Sequence, residues 1–161
     1  MSFQPTPELE AEVNELISHY PVKRAASLMV LHALQEQFGW ISQAAVEWTA
    51  KKLELQPINV YEIVTFYPML RQEPQGKYQI KVCRTLSCAL GGAYELHEHF
   101  CKKLGLDAHK HGAQTTKDGK FTVEFVECLA SCGTAPVMML GDKFYEGVSP
   151  ARVDEIVAGC Q

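Results

Sequence analysis

Four of the six cysteines fall into two closely spaced pairs, Cys83-Arg-Thr-Leu-Ser-Cys88 and Cys128-Leu-Ala-Ser-Cys132. Each pair closes a local loop, and two such loops can bring four thiolates to one point. That donor set suits tetrahedral Zn²⁺ or an iron–sulfur centre. Structural zinc most often uses C-x₂₋₄-C knuckles, so the x₄ and x₃ spacings here lie at or near the wide end of that range. A wider bite suits a cluster of two metal atoms in which each pair holds one iron. The x₄ spacing also occurs in plant-type 2Fe-2S ferredoxins, although the remaining spacing there differs. A 2Fe-2S centre is the leading expectation, with structural zinc, a disulfide or inert thiols as the alternatives.

Elements on either side must carry these loops. Gln79-Ile-Lys-Val82 reads as a strand delivering Cys83, and Phe121-Thr-Val-Glu-Phe-Val126 alternates like a strand delivering Cys128. Both pairs thus sit just past strand ends, where loops carry function on a rigid scaffold. Cys88 is expected to open a helix over 89–104 whose first-turn amides face an anionic group. Arg84, Thr85, Ser87 and Ser131 are candidate donors to sulfur, and such donors tune a cluster's potential. Arg84 reads equally as a solvated charge or a docking residue. Gly91-Gly92 early in the helix weakens it by roughly 1 kcal/mol per interior glycine relative to alanine, and suits close backbone approach.

The remaining chemistry-bearing residues read as bland. His97 and His99 do not share a helical face, His109 and His111 lie in a polar loop over 107–120, and all four are expected in solvent. His32 sits in an apolar helical pattern as a packing or surface residue. Cys101 reads as a small buried hydrophobe, and Cys160 as an exposed thiol on a frayed end. No G-x-G-x-x-G fingerprint marks a dinucleotide site.

Ahead of the cysteines lie four helical segments. Thr6-Pro7 caps a helix to about His19. A second runs over 22–38 with Gly39 as its stop, a third from the Ser42 cap to Leu53, and a fourth over 59–67, ending before Pro68. Tyr61, Phe66 and Tyr67 concentrate aromatic surface there, as inter-domain core or as a docking face. Residues 71–76 form a linker. Beyond the second pair, Val137–Leu140 and Lys143–Tyr145 read as a hairpin about Gly141-Asp142, and Ser149-Pro150 caps a last helix to about Ala158. The isomer of Pro136 is left open.

Net charge is −4, with five Lys/Arg against nine Asp/Glu in residues 1–76 and ten of each afterwards. No basic stripe with interleaved aromatics suggests nucleic-acid binding. No run approaches the ~20 apolar residues of a membrane span. Met1-Ser-Phe-Gln-Pro-Thr-Pro7 lacks the regions of a secretory leader, and six cysteines in motif form do not suggest a secreted disulfide scaffold. The expectation is a cytoplasmic protein.

The runs Thr65-Phe-Tyr-Pro-Met69, Cys83–Cys88, Asp118-Gly-Lys-Phe121 and Val126-Glu-Cys-Leu-Ala-Ser-Cys-Gly-Thr-Ala-Pro-Val-Met138 closely resemble one family. It is the 24 kDa-type subunit of respiratory complex I, the E-type subunit of the bacterial NADH:quinone oxidoreductase. The resemblance spans about residues 8–157. It implies an α+β chain of two domains, a small N-terminal helical bundle over 1–75 and a thioredoxin-like 2Fe-2S ferredoxin domain over 76–161. It implies Cys83, Cys88, Cys128 and Cys132 as the ligands of one 2Fe-2S cluster, and no catalytic residue on this chain. The implied partner is the larger subunit that binds FMN, NADH and a 4Fe-4S cluster, beside other peripheral-arm subunits on the cytoplasmic side of the inner membrane. The implied role is exchange of one electron with that FMN. The same module serves in NAD-linked or electron-bifurcating hydrogenases and NAD-dependent formate dehydrogenases, which is the alternative parent. Ala130 stands where the Cys-Leu-Gly-x-Cys form of the family leads one to expect glycine.

Overall fold

The computed structural model describes residues 3–160; Met1, Ser2 and Gln161, the outer ends of the two expected domains, lie outside that range. The chain divides into two compact units that meet between Pro74 and Gln75.

The first unit is helical: α1 (Pro7–Ser18), a 3₁₀ turn (Lys23–Ala26), α2 (Ser27–Phe38), α3 (Gln43–Leu53) and α4 (Pro57–Phe66). Local chemistry sets most of these ends. The Thr6 hydroxyl accepts from the Leu9 amide at 3.2 Å and the Ser42 hydroxyl from the Ala45 amide at 3.2 Å, which satisfies first-turn donors. Gly39 closes α2 in the left-handed region at φ 78°. Apolar faces meet in a core that includes Val13, Leu31, Leu34, Leu53, Val60 and Val64. The expected second helix is divided, its first turn being the 3₁₀ segment. The fourth begins at Pro57 instead of Asn59, because proline suits the first helical position. Of the three aromatic residues near its end, Tyr67 packs on the core, while Phe66 is 76% exposed.

The second unit holds β1 (Tyr78–Cys83), α5 (Leu86–Leu90), α6 (Ala93–Leu104), β2 (Gln114–Thr115), β3 (Phe121–Val126), a 3₁₀ turn (Cys132–Thr134), β4 (Met138–Leu140), β5 (Lys143–Tyr145) and α7 (Pro150–Ala158). The five strands form one sheet in the order β2-β3-β1-β4-β5. β1 and β3 run parallel with Tyr78 opposite Phe121 and Cys83 opposite Val126, while the other pairings are antiparallel. α6 packs on β1 and β3 and against α7. The core includes Ile80, Val82, Leu96, Phe100, Val123 and Met138, and full burial of a ring such as Phe100 contributes about 1.5–3 kcal/mol.

Three features of this unit differ from the sequence reading. The helix expected over 89–104 is broken: Cys88 lies inside the short α5, and α6 starts only after Gly92, which takes φ 96°. A side chain at Gly91 would approach the Ala135 Cβ to 3.0 Å, so the break brings two backbones together. His97 is buried at 3% exposure, stacked on Phe125 with ring centroids 3.9 Å apart, instead of lying in solvent. Its spacing on α6 puts it on the same buried stripe as Ala93, Phe100 and Cys101. β2, a two-residue edge strand, lies in the stretch expected to be a polar loop.

Two tests follow from this packing. A Cβ on Gly76 would come within 2.7 Å of the Phe121 carbonyl carbon, and the Gly76 amide donates to the Thr122 hydroxyl at 2.7 Å. Gly76→Ala is expected to cost about 1–3 kcal/mol in denaturant unfolding; a wild-type midpoint contradicts the contact. Burial holds the His97 imidazole below its usual pKa. The unfolded chain therefore takes up this proton first, so stability is full above about pH 6.5 and declines as pH falls below that value. His97→Leu is expected to flatten the decline, and an identical pH dependence in both proteins contradicts it.

Candidate metal centre

Three chain segments converge at one end of the sheet. β1 ends on Cys83, and α5, carrying Cys88, follows after two residues. β3 runs parallel beside β1 and ends at Val126, just before Cys128. The antiparallel β4 begins there too, with Val82 opposite Met138. α5 packs against the 3₁₀ turn that begins with Cys132. Backbone bonds knit the segments: the Arg84 amide donates to the Val126 carbonyl at 3.0 Å and the Cys83 amide to the Val137 carbonyl at 3.1 Å. The two pairs differ in setting, since Cys83 and Cys88 are buried and Cys128 and Cys132 are exposed.

Donors surround the sulfurs. Burial pushes the Cys83 thiol up, but the Thr85 hydroxyl, 3.2 Å away, the amides of Thr85 and Leu129, and the Cys88 thiol outweigh it, and the net shift is downward. Burial raises Cys88; the Val137 amide opposes this, while the neighbouring Cys83 and Cys132 sulfurs raise it further. The Ala130 amide donates to the Cys128 sulfur at 3.3 Å. Among the described residues, no three Cys, His, Asp or Glu side chains lie close enough together to hold a metal ion as they stand. The thiols gather at one end of the sheet without closing on a point, and Cys128 and Cys132 form the exposed pair. Four thiols beside peptide N–H donors form a set that fits an anionic thiolate-bound cluster.

Local contacts shape the second loop. Ala130 holds φ 62°, in the left-handed region that favours glycine. This explains in physical terms why glycine is the residue to expect there. Ser131 does not donate to sulfur; its hydroxyl bonds the Glu146 carboxylate and lies 2.8 Å from the Thr134 hydroxyl, which itself donates to Glu146 at 2.6 Å. Those hydroxyls, Ser131 first, hold the Glu146 carboxyl below its usual pKa. The Gly147 amide donates to the Thr134 carbonyl at 2.7 Å, so the turn bearing Cys132 is fastened to the chain leaving β5. Arg84 likewise turns to a carboxylate, Glu127, instead of to sulfur. Of the four expected donor side chains, Thr85 reaches a cysteine sulfur.

The other two cysteines stand apart. Cys101 is buried beside His97, its sulfur 3.7 Å from Nδ1, and burial pushes its thiol up to about 11. Cys160 is buried, not exposed as expected: its thiol donates to the Ile156 carbonyl at 3.3 Å, one turn back at the end of α7, and burial raises its pKa. His99 bonds Asp154 at 3.1 Å. Beside the first cysteine loop, Leu86, Leu90 and Tyr94 are 75%, 82% and 54% exposed, an apolar rim of the kind that marks interaction surfaces. The Ala135–Pro136 peptide at this end is cis. Sequence reading did not single out Glu127 or Glu146. Glu127 was findable, because it adjoins one cysteine as Arg84 adjoins another; nothing local marks Glu146.

Comparison with known proteins gives one direction. A family model described as thioredoxin-like [2Fe-2S] ferredoxin matches residues 13–161. The NADH-quinone oxidoreductase E subunit of Rickettsia typhi is 39% identical over 145 residues, covering 88% of this chain and 83% of that protein. NADH-quinone oxidoreductase subunit 2 of Thermus thermophilus is 38% identical over 150 residues, covering 91% and 81%. Among solved structures, a chain of an NAD⁺-reducing [NiFe]-hydrogenase in the H₂-reduced state superposes with a TM-score of 0.66 over 81% of this chain at 22% identity. This chain spans only 22% of that one, and the likeness bears on fold alone.

The loop geometry is testable without any metal. A left-handed alanine costs about 1–2 kcal/mol, partly offset in a glycine variant by the greater freedom of the unfolded chain. Ala130→Gly is therefore expected to unfold with unchanged stability or up to about 1 kcal/mol more. A clear loss of stability contradicts the left-handed conformation.

Proposed function

Because this chain belongs to the thioredoxin-like [2Fe-2S] ferredoxin family, we propose that it is the one-electron carrier subunit of an NADH:quinone oxidoreductase. In this reading it exchanges electrons with the FMN of an adjacent NADH-binding subunit. The observation that carries the proposal is the meeting of both cysteine pairs at one end of the sheet, through the parallel register of β1 and β3. Relatives named as subunits of NADH-quinone oxidoreductase, 36–39% identical over most of the chain, support this parent complex.

Cys83, Cys88, Cys128 and Cys132 are the proposed ligands. A bound 2Fe-2S cluster supplies reversible one-electron chemistry. The chain's own part is to hold and shield. Burial of Cys83 and Cys88 fixes one side of the site and keeps water from it. The Leu129 and Ala130 amides offer hydrogen bonds to sulfur from the other side. Exposure of Cys128 and Cys132 leaves that edge open to a docked partner, and Leu86, Leu90 and Tyr94 supply apolar contact surface beside it. Hydride transfer and proton transfer are assigned to no residue here.

Two experiments test the proposal. Serine at Cys83, Cys88, Cys128 or Cys132 is expected to abolish the normal iron and sulfide content of anaerobically purified protein, whereas Cys101→Ser retains it. Wild-type content in any of the four variants contradicts the ligand set. The carrier role is tested by co-expression with the flavin-binding subunit, purification of the complex and addition of NADH under anaerobic conditions. Reduction of the 2Fe-2S signal within the complex is the expected result. A stable complex whose flavin is reduced while this chain stays oxidised at a potential that reduces it chemically contradicts the role.

A further inference from the structure

Two residues flank the cysteine pairs in a way that neither the fold nor the ligand set requires. Arg84 directly follows Cys83, and Glu127 directly precedes Cys128. The guanidinium spans the gap with both Nε, at 3.1 Å, and Nη2, at 2.7 Å, on the same Glu127 Oε1. The Arg84 amide also donates to the carbonyl of Val126, the residue before Glu127, at 3.0 Å. Side chain and backbone thus join the same short stretches, which lie 43 residues apart in sequence.

We propose that Arg84 and Glu127 form a clamp that fixes the spacing of the two cysteine loops, a positioning role that rests on the reading of the four cysteines as ligands. Its value lies in where it acts. Both side chains are largely exposed, at 49% and 70%, and exposed pairs add little to global stability. Each partner, however, is one residue from a ligand, so a change in the pair passes straight to the Cys83 and Cys128 backbones. The pair is also neutral as a unit. Glu127 alone would set a negative charge beside four thiolates, and Arg84 balances it at contact distance.

The test is iron release to a chelator from the anaerobically prepared full chain, followed by absorbance, with circular dichroism checking the fold of each variant. Arg84→Gln and Glu127→Gln are each expected to release iron about two- to fivefold faster than wild type. The exchanged pair, Arg84→Glu with Glu127→Arg, is expected to return close to the wild-type rate. A role through charge alone behaves otherwise: the two single variants shift the reduction potential in opposite directions while release stays at the wild-type rate, which overturns the clamp. Fast release from the exchanged pair overturns it as well, since the interaction is then not what matters. Failure of the wild-type chain to take up iron and sulfide contradicts the ligand reading beneath the proposal, a result distinct from either of these.

Discussion

Parallel pairing of β1 with β3 is the constraint on which the second unit depends. Their register sets Cys83 opposite Val126, so two loops distant in sequence leave the sheet side by side and in the same direction. Parallel neighbours need a long crossover, and α5, α6 and β2 supply it. The carboxyl ends of such strands are where α/β sheets gather their chemistry. In this chain, both cysteine pairs emerge from that end. The start of β4 adds a third segment through its antiparallel pairing with β1. Removing the register would scatter the sulfurs however well each loop kept its own shape.

The two halves of the site are held by different physics. Cys83 and Cys88 belong to the buried apolar core that also includes Ala93 and Met138, so packing fixes them. Cys128 and Cys132 are exposed and lie in a loop shaped by polar contacts: the Ala130 amide on the Cys128 sulfur, the Ser131–Thr134–Glu146 hydroxyl–carboxylate group, and Arg84 on Glu127. One half is thus fixed by apolar packing and the other by hydrogen bonds and an ion pair. Cys128 and Cys132 are accessible, and so are Leu86, Leu90 and Tyr94 beside the first cysteine loop.

Much of this was legible because it is written in local pattern. Alternation in Phe121–Val126, the caps at Thr6, Ser42 and Ser149, and the turn at Gly141-Asp142 each specify a short element within a few residues, and β3, α1, α3, α7 and the β4–β5 hairpin follow. The less legible features depend on contacts distant in sequence. The break at Gly91-Gly92 answers to Ala135 across the fold, and His97 is buried because Phe125 of β3 lies beneath it. Cys160 is covered although it is next to the last residue. In the site, short cysteine spacing was plain in sequence. Glu146 was not, because the turn it fastens lies more than ten residues away.

Whether the four cysteines hold a redox cluster is decided by low-temperature electron paramagnetic resonance on anaerobically purified protein, before and after dithionite. Iron, zinc and acid-labile sulfide are counted in the same sample. A signal that emerges on reduction, with about two irons and two sulfides per chain, is the expected result. Stoichiometric zinc with no reducible signal, persisting after reconstitution with iron and sulfide, would contradict it and return these four cysteines to a structural role.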